Sequence, residues 1–105
     1  MNNFTTRQTD ADDGAEILKV LAHPIRLCIV RGLLRQGSAN VSTIQECLSI
    51  PQSTVSQHLA KLRAYEIVDG VRQGTEIHYT VINDTAKRIV SALYAELICD
   101  PSGPS

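Results

Sequence analysis

The chain has 105 residues, of which 43% are hydrophobic and 20% are charged. This length supports one compact domain, and it excludes the larger enzyme architectures in which two subdomains enclose a deep substrate cleft. The formal net charge of -1 argues against a protein that binds polyanions over its whole surface. The charge is nevertheless segregated, because residues 17–83 contain seven Lys and Arg against four Asp and Glu, whereas residues 1–16 are acidic. The basic part is therefore the central body of the chain.

The sequence also indicates where the protein works. No apolar run reaches the roughly 18 residues of a membrane span, and the first residues lack the basic start and the apolar stretch of a signal peptide. The cysteines are spaced too irregularly for a disulfide framework or a zinc-binding CxxC pattern: they are Cys28, Cys47 and Cys99. We therefore expect a soluble, cytoplasmic protein with reduced thiols and no membrane partner.

Composition divides the chain into three parts. Residues 1–12 are polar and show no apolar periodicity, and residues 100–105 contain two prolines and a glycine. Both ends are predicted to be flexible tails. The folded unit is predicted to span residues 13–99.

Three helices are predicted in the first half of this unit. The first ends before Pro24, because proline disfavours a helical conformation in the residue that precedes it. The second runs from Pro24 to near Gly37, and its apolar residues cover most of its circumference, which predicts a central position in the core. The third is short. It begins at Ser42, which can form a capping box with Gln45, and it closes before Pro51.

A fourth helix is predicted over residues 52–65. One stripe of it is apolar and should face inward, and this stripe consists of Val55, Leu59 and Leu62. The opposite face is polar along its whole length. This helix is therefore predicted to lie on the core with one polar face in solvent.

A β-hairpin and a fifth helix complete the unit. Apolar residues alternate on either side of a break at residues 72–75, which is typical of a hairpin. Asn83 or Asp84 can cap the last helix. That helix carries a wide apolar stripe, which consists of Ile89, Val90, Leu93, Tyr94, Leu97 and Ile98.

This order of elements predicts a mainly α fold with one β-hairpin, an α+β arrangement that is the order of a winged helix-turn-helix. The short third helix would brace the fourth, whose exposed polar side chains can then reach base edges in the major groove. The candidate DNA-binding residues lie on the fourth helix and at the tip of the hairpin. They are Gln52, Ser53, Thr54, Ser56, Gln57, His58, Lys61, Arg63, Arg72, Gln73 and Gly74.

Side-chain chemistry suggests roles within this set. Gln57 suits the N6 and N7 atoms of adenine, and Lys61 and Arg63 can neutralise phosphates. Arg72 at the hairpin tip would bring a cation to the neighbouring backbone or minor groove. The hydroxyl side chains can contact phosphates or bases, and His58 can do either. The alternative is that these residues form an ordinary solvated helix face and an ordinary hairpin.

Three stretches of the chain, residues 18–27, 51–63 and 74–81, closely resemble the ArsR-type (arsenic repressor-like) winged-helix transcriptional regulators. The resemblance implies a homodimer assembled through the first and fifth helices. It also implies a repressor that leaves its double-stranded operator DNA when it binds an effector, and recognition by the helix that contains Ser53 to Lys61. The apolar stripes of the terminal helices favour a partner independently, because a fold of this size has little interior in which to bury both.

Metal-sensing members of the resembled family carry a Cys-x-Cys pair at the start of the third helix, or Asp and His ligands along the fifth. The corresponding cysteine positions here are Asn40 and Ser42, and residues 83–99 contain no histidine. The sequence therefore predicts no metal site of the usual kinds and no cofactor, and it leaves the effector unknown.

The cysteines and the two remaining histidines each have a structural and a functional interpretation. Cys28 and Cys47 lie at apolar positions, where a buried thiol usually behaves as a small hydrophobic group. The resemblance suggests a sensing pair of Cys28 with Cys99, which would respond to oxidants or reactive sulfur. A repressor that binds a metal or metalloid through non-standard cysteines is an alternative. His23 and His78 are expected to be capping or surface residues.

Two further functions compete with the regulator. A winged helix used only for protein–protein contacts would dimerise or bind a partner with no preference for a DNA sequence. A thiol enzyme is disfavoured, because a nucleophilic cysteine needs a base within hydrogen-bond reach, and the sequence suggests no histidine partner for any of the three.

Overall fold

The computed structural model describes residues 8–98 of the chain. Within these residues, five helices and one antiparallel hairpin follow in the order α1 (Gln8–Leu21), α2 (Pro24–Gln36), α3 (Val41–Leu48), α4 (Gln52–Ala64), β1 (Val68–Gln73), β2 (Glu76–Val81) and α5 (Asp84–Ile98). The predicted fold class is confirmed. No helix in this part of the chain is long and apolar enough to cross a membrane. The predicted tail at residues 100–105 lies outside the described residues.

The first helix starts earlier than the sequence predicts. It begins at Gln8, so the predicted flexible tail is wrong for residues 8–12, which are helical. The physical reason is electrostatic. Asp10, Asp12 and Asp13 lie in the first two turns of the helix, and Lys19 lies in its last turn. Both placements complement the helix dipole. A search for apolar periodicity cannot reveal this extension, because most of its residues are polar.

The start of α3 also differs from the prediction. Its N-cap is Asn40, whose Oδ1 accepts a hydrogen bond from the Thr43 N–H at 2.9 Å. The predicted capping box of Ser42 and Gln45 is therefore wrong, since Ser42 is already the second residue of the helix. Asn and Ser are equally good N-caps, so residue type alone does not decide between two candidates two positions apart.

The second helix is the centre of the fold, as predicted. Ile29, Val30 and Leu33 on α2 are buried, and the helix packs against all four other helices and against β2. It ends where predicted, at Gly37, whose φ of 87° is in the region that favours glycine. The Gly37 N–H donates to the Leu33 carbonyl at 2.7 Å and satisfies one of the last carbonyls of the helix.

The hairpin has a two-residue turn. Its strands pair from Val68 opposite Val81 to Gln73 opposite Glu76, and Gly74 in the turn has a φ of 67°. Two-residue hairpin turns require positive φ, which is why glycine occupies this position.

The base of the hairpin is attached to the helical body. Ala39, between α2 and α3, exchanges two backbone hydrogen bonds with Tyr79 of β2, at 3.1 and 2.8 Å. The Thr80 hydroxyl donates to the Gly37 carbonyl at 2.7 Å. The α2–α3 connection therefore orients the hairpin. The sequence did not indicate this attachment, because a single paired residue such as Ala39 produces no periodic pattern.

The N-cap of α3 gives a testable prediction. The Asn40→Ala variant loses the hydrogen bond to the Thr43 N–H, and we expect the free energy of unfolding to fall by about 1 kcal/mol. Urea denaturation followed by circular dichroism measures the change. The matched control is Ser42→Ala, which removes an exposed hydroxyl from the same helix and should leave the midpoint unchanged. A larger decrease in the control than in Asn40→Ala would favour the capping box instead.

Candidate nucleic-acid interface

The fourth helix separates its residues into a buried and an exposed face, as predicted. Val55, Leu59 and Leu62 have relative exposures of 0 to 1%. The opposite face, which we call the polar face of α4, is exposed and consists of Gln52, Ser53, Ser56, Gln57, Lys61 and Arg63. Short polar side chains and two cations thus lie together on one side of a helix that cannot rotate without exposing the core.

The amino end of α4 is open. Pro51 precedes the helix with φ -60° and ψ 147°, and no side chain caps the first turn. The helix follows α3 through Ser49, which takes a left-handed conformation with φ 57° and donates its N–H to the Gln45 carbonyl. Uncapped N–H groups at a helix start favour an anion such as a DNA phosphate. Thr54, also predicted to contact DNA, lies in this turn and is half-buried.

The carboxyl end of α4 carries its two cations in different surroundings. The Lys61 Nζ lies 5.4 Å from the centre of the Tyr65 ring, within the range of a cation–π contact. Arg63 Nε lies 3.5 Å from Asp69 Oδ1 at the start of the hairpin, and both side chains are more than half exposed. An exposed pair of this kind contributes little to stability, so Arg63 remains available to a phosphate.

His58 is placed differently from the other predicted DNA-binding residues of α4. It is half-buried, and its ring centre lies 4.6 Å from that of His23, which caps α2 through a hydrogen bond from the Ile25 N–H. Arg26 Nη1 lies 3.4 Å from His58 Nδ1, and Arg26 Nε also donates to the Val20 carbonyl of α1. The geometry therefore turns His58 toward the α1–α2 corner rather than toward solvent.

We call these three side chains the His23–Arg26–His58 cluster. It joins α4 to the amino-terminal half of the fold across 32 residues of sequence. The prediction that His23 is a capping residue is confirmed. The contact between His23 and His58 could not be predicted from apolar periodicity, because both histidines lie at the edge of the core and neither belongs to an apolar stripe.

The hairpin tip is exposed as predicted. Arg72, Gln73 and Gly74 all lie in solvent at the end of the hairpin. At the middle of β1, Gly70 permits close packing across the strands, since a Cβ there would come within 2.6 Å of Ile77 Cγ2. Glu76 lies opposite Gln73 and has His78 Nε2 at 3.3 Å from its carboxylate. Arg72 is thus an exposed cation near the tip of the hairpin, where it pairs across the strands with Ile77.

Neither cysteine that the structure describes is fully buried. Cys28 is half-buried and Cys47 is exposed, which disfavours the interpretation of Cys47 as a small hydrophobic group in the core. Cys47 lies at the edge of the apolar stripe of α3, where Ile44 is the residue that faces the core. Cys99 lies outside the described residues, and its pairing with Cys28 stays a prediction. Among the residues whose side chains the structure describes, no group of three His, Cys, Asp or Glu could hold a metal ion.

A polar, partly cationic helix braced by a short helix, with a hairpin fixed beside it, defines a winged helix-turn-helix DNA-binding protein. A family model described as a helix-turn-helix domain matches residues 21–71. The transcriptional repressor PagR of Bacillus anthracis is 45% identical over 82 residues, which are 78% of this chain and 82% of that protein. The biofilm growth-associated repressor of Agrobacterium fabrum is 42% identical over 91 residues, or 87% of this chain and 76% of that protein.

Solved structures agree with the sequence comparisons. The crystal structure of PagR has a TM-score of 0.76 at 44% identity and covers 81% of this chain and 97% of its own. The repressor BigR from Xylella fastidiosa has a TM-score of 0.76 at 33% identity, over 93% of this chain and 95% of its own. The chain belongs to the ArsR-type winged-helix transcriptional regulators, and the resemblance identified in the sequence is confirmed.

The His23–Arg26–His58 cluster predicts how stability depends on pH. Partial burial lowers the pKa of the His58 imidazole, and positive charge on His23 and Arg26 lowers it further. As the pH falls below the ordinary value of about 6.5, the unfolded chain takes up the proton before the folded chain does. The free energy of unfolding should therefore decrease with acidification, until the pH passes the lowered pKa of the folded state.

The His58→Gln variant removes this contribution. We expect its free energy of unfolding to change less between pH 7 and pH 5 than that of the parent protein, as measured by urea denaturation at each pH. The control is Gln57→Ala, a change of the adjacent exposed residue on α4, which should keep the parental dependence. Identical slopes in the parent and in His58→Gln would show that the cluster does not perturb His58.

Proposed function

We propose that this chain acts as a homodimeric transcriptional repressor that inserts α4 into the major groove of operator DNA and places the hairpin tip beside it. The observation that carries the proposal is the polar face of α4, which the burial of Val55, Leu59 and Leu62 holds toward solvent. Membership of the ArsR-type regulators and the names of the PagR and biofilm growth-associated repressors support the direction of regulation. Such a role requires no catalysis and is consistent with a cytoplasmic location.

The proposed contacts fall into two groups. Gln57 is assigned to base readout, because a Gln amide can donate to N7 and accept from N6 of adenine at the same time. Gln52, Ser53 and Ser56 surround it and can position it through phosphate or base contacts. Lys61, Arg63 and Arg72 are assigned to phosphates, which supply affinity without sequence information. His58 is removed from direct readout and assigned to holding α4 in place.

The dimer is proposed to form through α1 and α5. Leu18 on α1 is 54% exposed and Leu93 on α5 is 50% exposed, which is unusual for the apolar stripe of a helix that has no partner. A two-fold axis between these helices would present two copies of α4 to half-sites about 34 to 36 Å apart, one turn of B-DNA.

Release by an effector follows from the family. The sensing pair of Cys28 with Cys99 is one candidate, and Cys28 is half-buried rather than enclosed in the core. No effector is assigned by these residues alone.

Salt dependence tests the placement of the DNA surface. Each phosphate contact adds about 0.9 to the slope of log affinity against log salt concentration, so removing one such cation from each of the two subunits should lower the slope by about 1.8. We expect Lys61→Ala and Arg72→Ala each to flatten the slope by roughly this amount, whereas Gln57→Ala should lower the preference for operator over scrambled DNA. Fluorescence anisotropy on DNA upstream of the protein's own gene measures both effects.

The control for this experiment is Lys87→Ala. Lys87 lies on α5 with its Nζ 3.9 Å from Asp84, away from the polar face of α4, and its removal should leave the slope unchanged. Unchanged slopes in Lys61→Ala and Arg72→Ala would refute this surface. A parent protein that dimerises but shows no preference for any DNA sequence would support the protein–protein module instead.

The dimer interface gives a separate prediction. Leu93→Glu places a charge in the proposed contact between α5 helices, and we expect the protein to sediment as a monomer at low micromolar concentration. The control is Val71→Glu on β1, where the parent side chain is similarly exposed, at 55% against 50% for Leu93, but lies on the hairpin. It should remain dimeric. Dimers of undiminished stability in Leu93→Glu would place the interface elsewhere.

A further inference from the structure

An open groove separates α4 from the hairpin, beside the polar face of α4. The groove has a volume of about 310 Å³, and Tyr79 of β2 lines it opposite α4. Its α4 wall includes Ser56 and Arg63, two exposed residues of the polar face, and the exposed Ala60 between them. Arg63 is the charged side chain among the described residues that line it. A cation from the polar face of α4 is therefore also part of this groove.

The groove lies where the proposed complex needs a DNA strand to pass. The proposed function places α4 in the major groove and the hairpin tip beside it. A sugar–phosphate backbone separates the major from the minor groove of B-DNA, so one strand must run between the helix and the hairpin. Arg63 would then meet a phosphate of that strand, in a contact that carries no sequence information.

In the DNA-free chain, Arg63 already has an anionic partner. Its Nε lies 3.5 Å from Oδ1 of Asp69, the second residue of β1. The same Oδ1 accepts a hydrogen bond from the Gly70 N–H at 2.8 Å, which holds the carboxylate against the strand backbone. The hairpin therefore supplies a fixed carboxylate to the cation that lines the groove.

Asp69 and a DNA phosphate would use the same part of Arg63. The guanidinium presents its N–H groups as a fork, and a phosphate binds most strongly to two of them at once. With a carboxylate at Nε, one side of that fork is occupied. A phosphate on the same guanidinium would also lie close to a second anion, which repels it. The two side chains are 59% and 53% exposed, so an exchange of partners does not disturb the core.

We propose that Asp69 sets the affinity for DNA by competing with a backbone phosphate for Arg63. In the free protein the carboxylate pairs with the guanidinium, and on the operator the phosphate takes its place. Because this ion pair must break, each contact of Arg63 with DNA is weakened. Asp69 therefore opposes binding although it is not itself a ligand of DNA. The inference rests on the proposed function, since it requires α4 and the hairpin to lie on DNA.

The test is Asp69→Asn, which removes the charge but keeps an oxygen that can accept the Gly70 N–H. We expect the full-length variant to bind the upstream DNA roughly four- to twentyfold more tightly than the parent. The reason is that loss of an exposed ion pair changes an equilibrium about two- to fivefold at each of two subunits. Fluorescence anisotropy at a fixed salt concentration measures the affinity, and circular dichroism verifies that the variant is folded.

Removal of any negative charge close to DNA strengthens binding to some extent, so the experiment needs a matched control. Glu66→Gln removes one exposed negative charge from the connection between α4 and β1. Arg63 pairs with Asp69 rather than with Glu66, and we therefore expect a smaller gain from the control. A gain from Asp69→Asn no larger than that from Glu66→Gln would show general repulsion and would overturn the proposal.

A thermodynamic cycle isolates the contact with Arg63. Asp69→Asn is measured again in the Arg63→Gln background, in which affinity is expected to be lower. Its gain should shrink to that of Glu66→Gln, because no guanidinium remains for the carboxylate to occupy. An equal gain in both backgrounds would overturn the proposal, as would unchanged affinity in Arg63→Gln. Weaker binding by Asp69→Asn would also overturn it, since the carboxylate would then be positioning Arg63 for the phosphate.

The same measurements separate this inference from the proposed function. The preference of the parent for upstream over scrambled DNA, and its decrease in Gln57→Ala, report on the proposed function alone. Retained preference without coupling between Arg63 and Asp69 would overturn only the competition. A parent protein that prefers no DNA sequence would overturn the proposed function and the competition with it.

Discussion

The burial of one stripe of α4 is the constraint on which the rest of the molecule depends. Val55, Leu59 and Leu62 are almost completely inaccessible, and full burial of such side chains stabilises a protein by about 1.5 to 3 kcal/mol each. A rotation of α4 by one residue would expose part of this stripe and turn Ser56 and Arg63 toward the core in one direction, or Lys61 in the other. The hydrophobic core therefore determines which polar side chains of α4 are exposed, and the proposed recognition surface is a consequence of packing rather than an addition to it.

The two elements proposed to contact DNA are held by different interactions on the same body. The His23–Arg26–His58 cluster connects α4 to the α1–α2 corner, and the paired backbone groups of Ala39 and Tyr79 connect the hairpin to the α2–α3 connection. All of these attachments converge on α2, the most central helix. A change in the packing of α2 therefore affects the recognition helix and the wing together, which is the coupling that an effector-controlled repressor requires.

Exposed positive charge and exposed apolar side chains lie on different elements of the fold. The chain is nearly neutral overall, yet Lys61 and Arg63 are exposed near the end of α4 and Arg72 is exposed on the hairpin. The exposed apolar side chains of Leu18 and Leu93 lie on the terminal helices, where a second copy of the chain would cover them. The proposed binding to DNA thus depends on local rather than net charge, and the proposed assembly depends on surface that a monomer of this size leaves unburied.

Much of the fold follows from the sequence alone, because apolar periodicity and helix-ending residues act over a few neighbouring positions. They determined the order of elements, the stops at Pro24 and Gly37, the buried stripe of α4 and its polar face, and the resemblance of residues 51–63 identified the class. Only the tertiary structure decided which capping residue starts α3 and that His58 turns inward to His23 and Arg26. These features join residues that are distant in sequence, or distinguish neighbours of equal propensity, and a one-dimensional pattern carries no information on either.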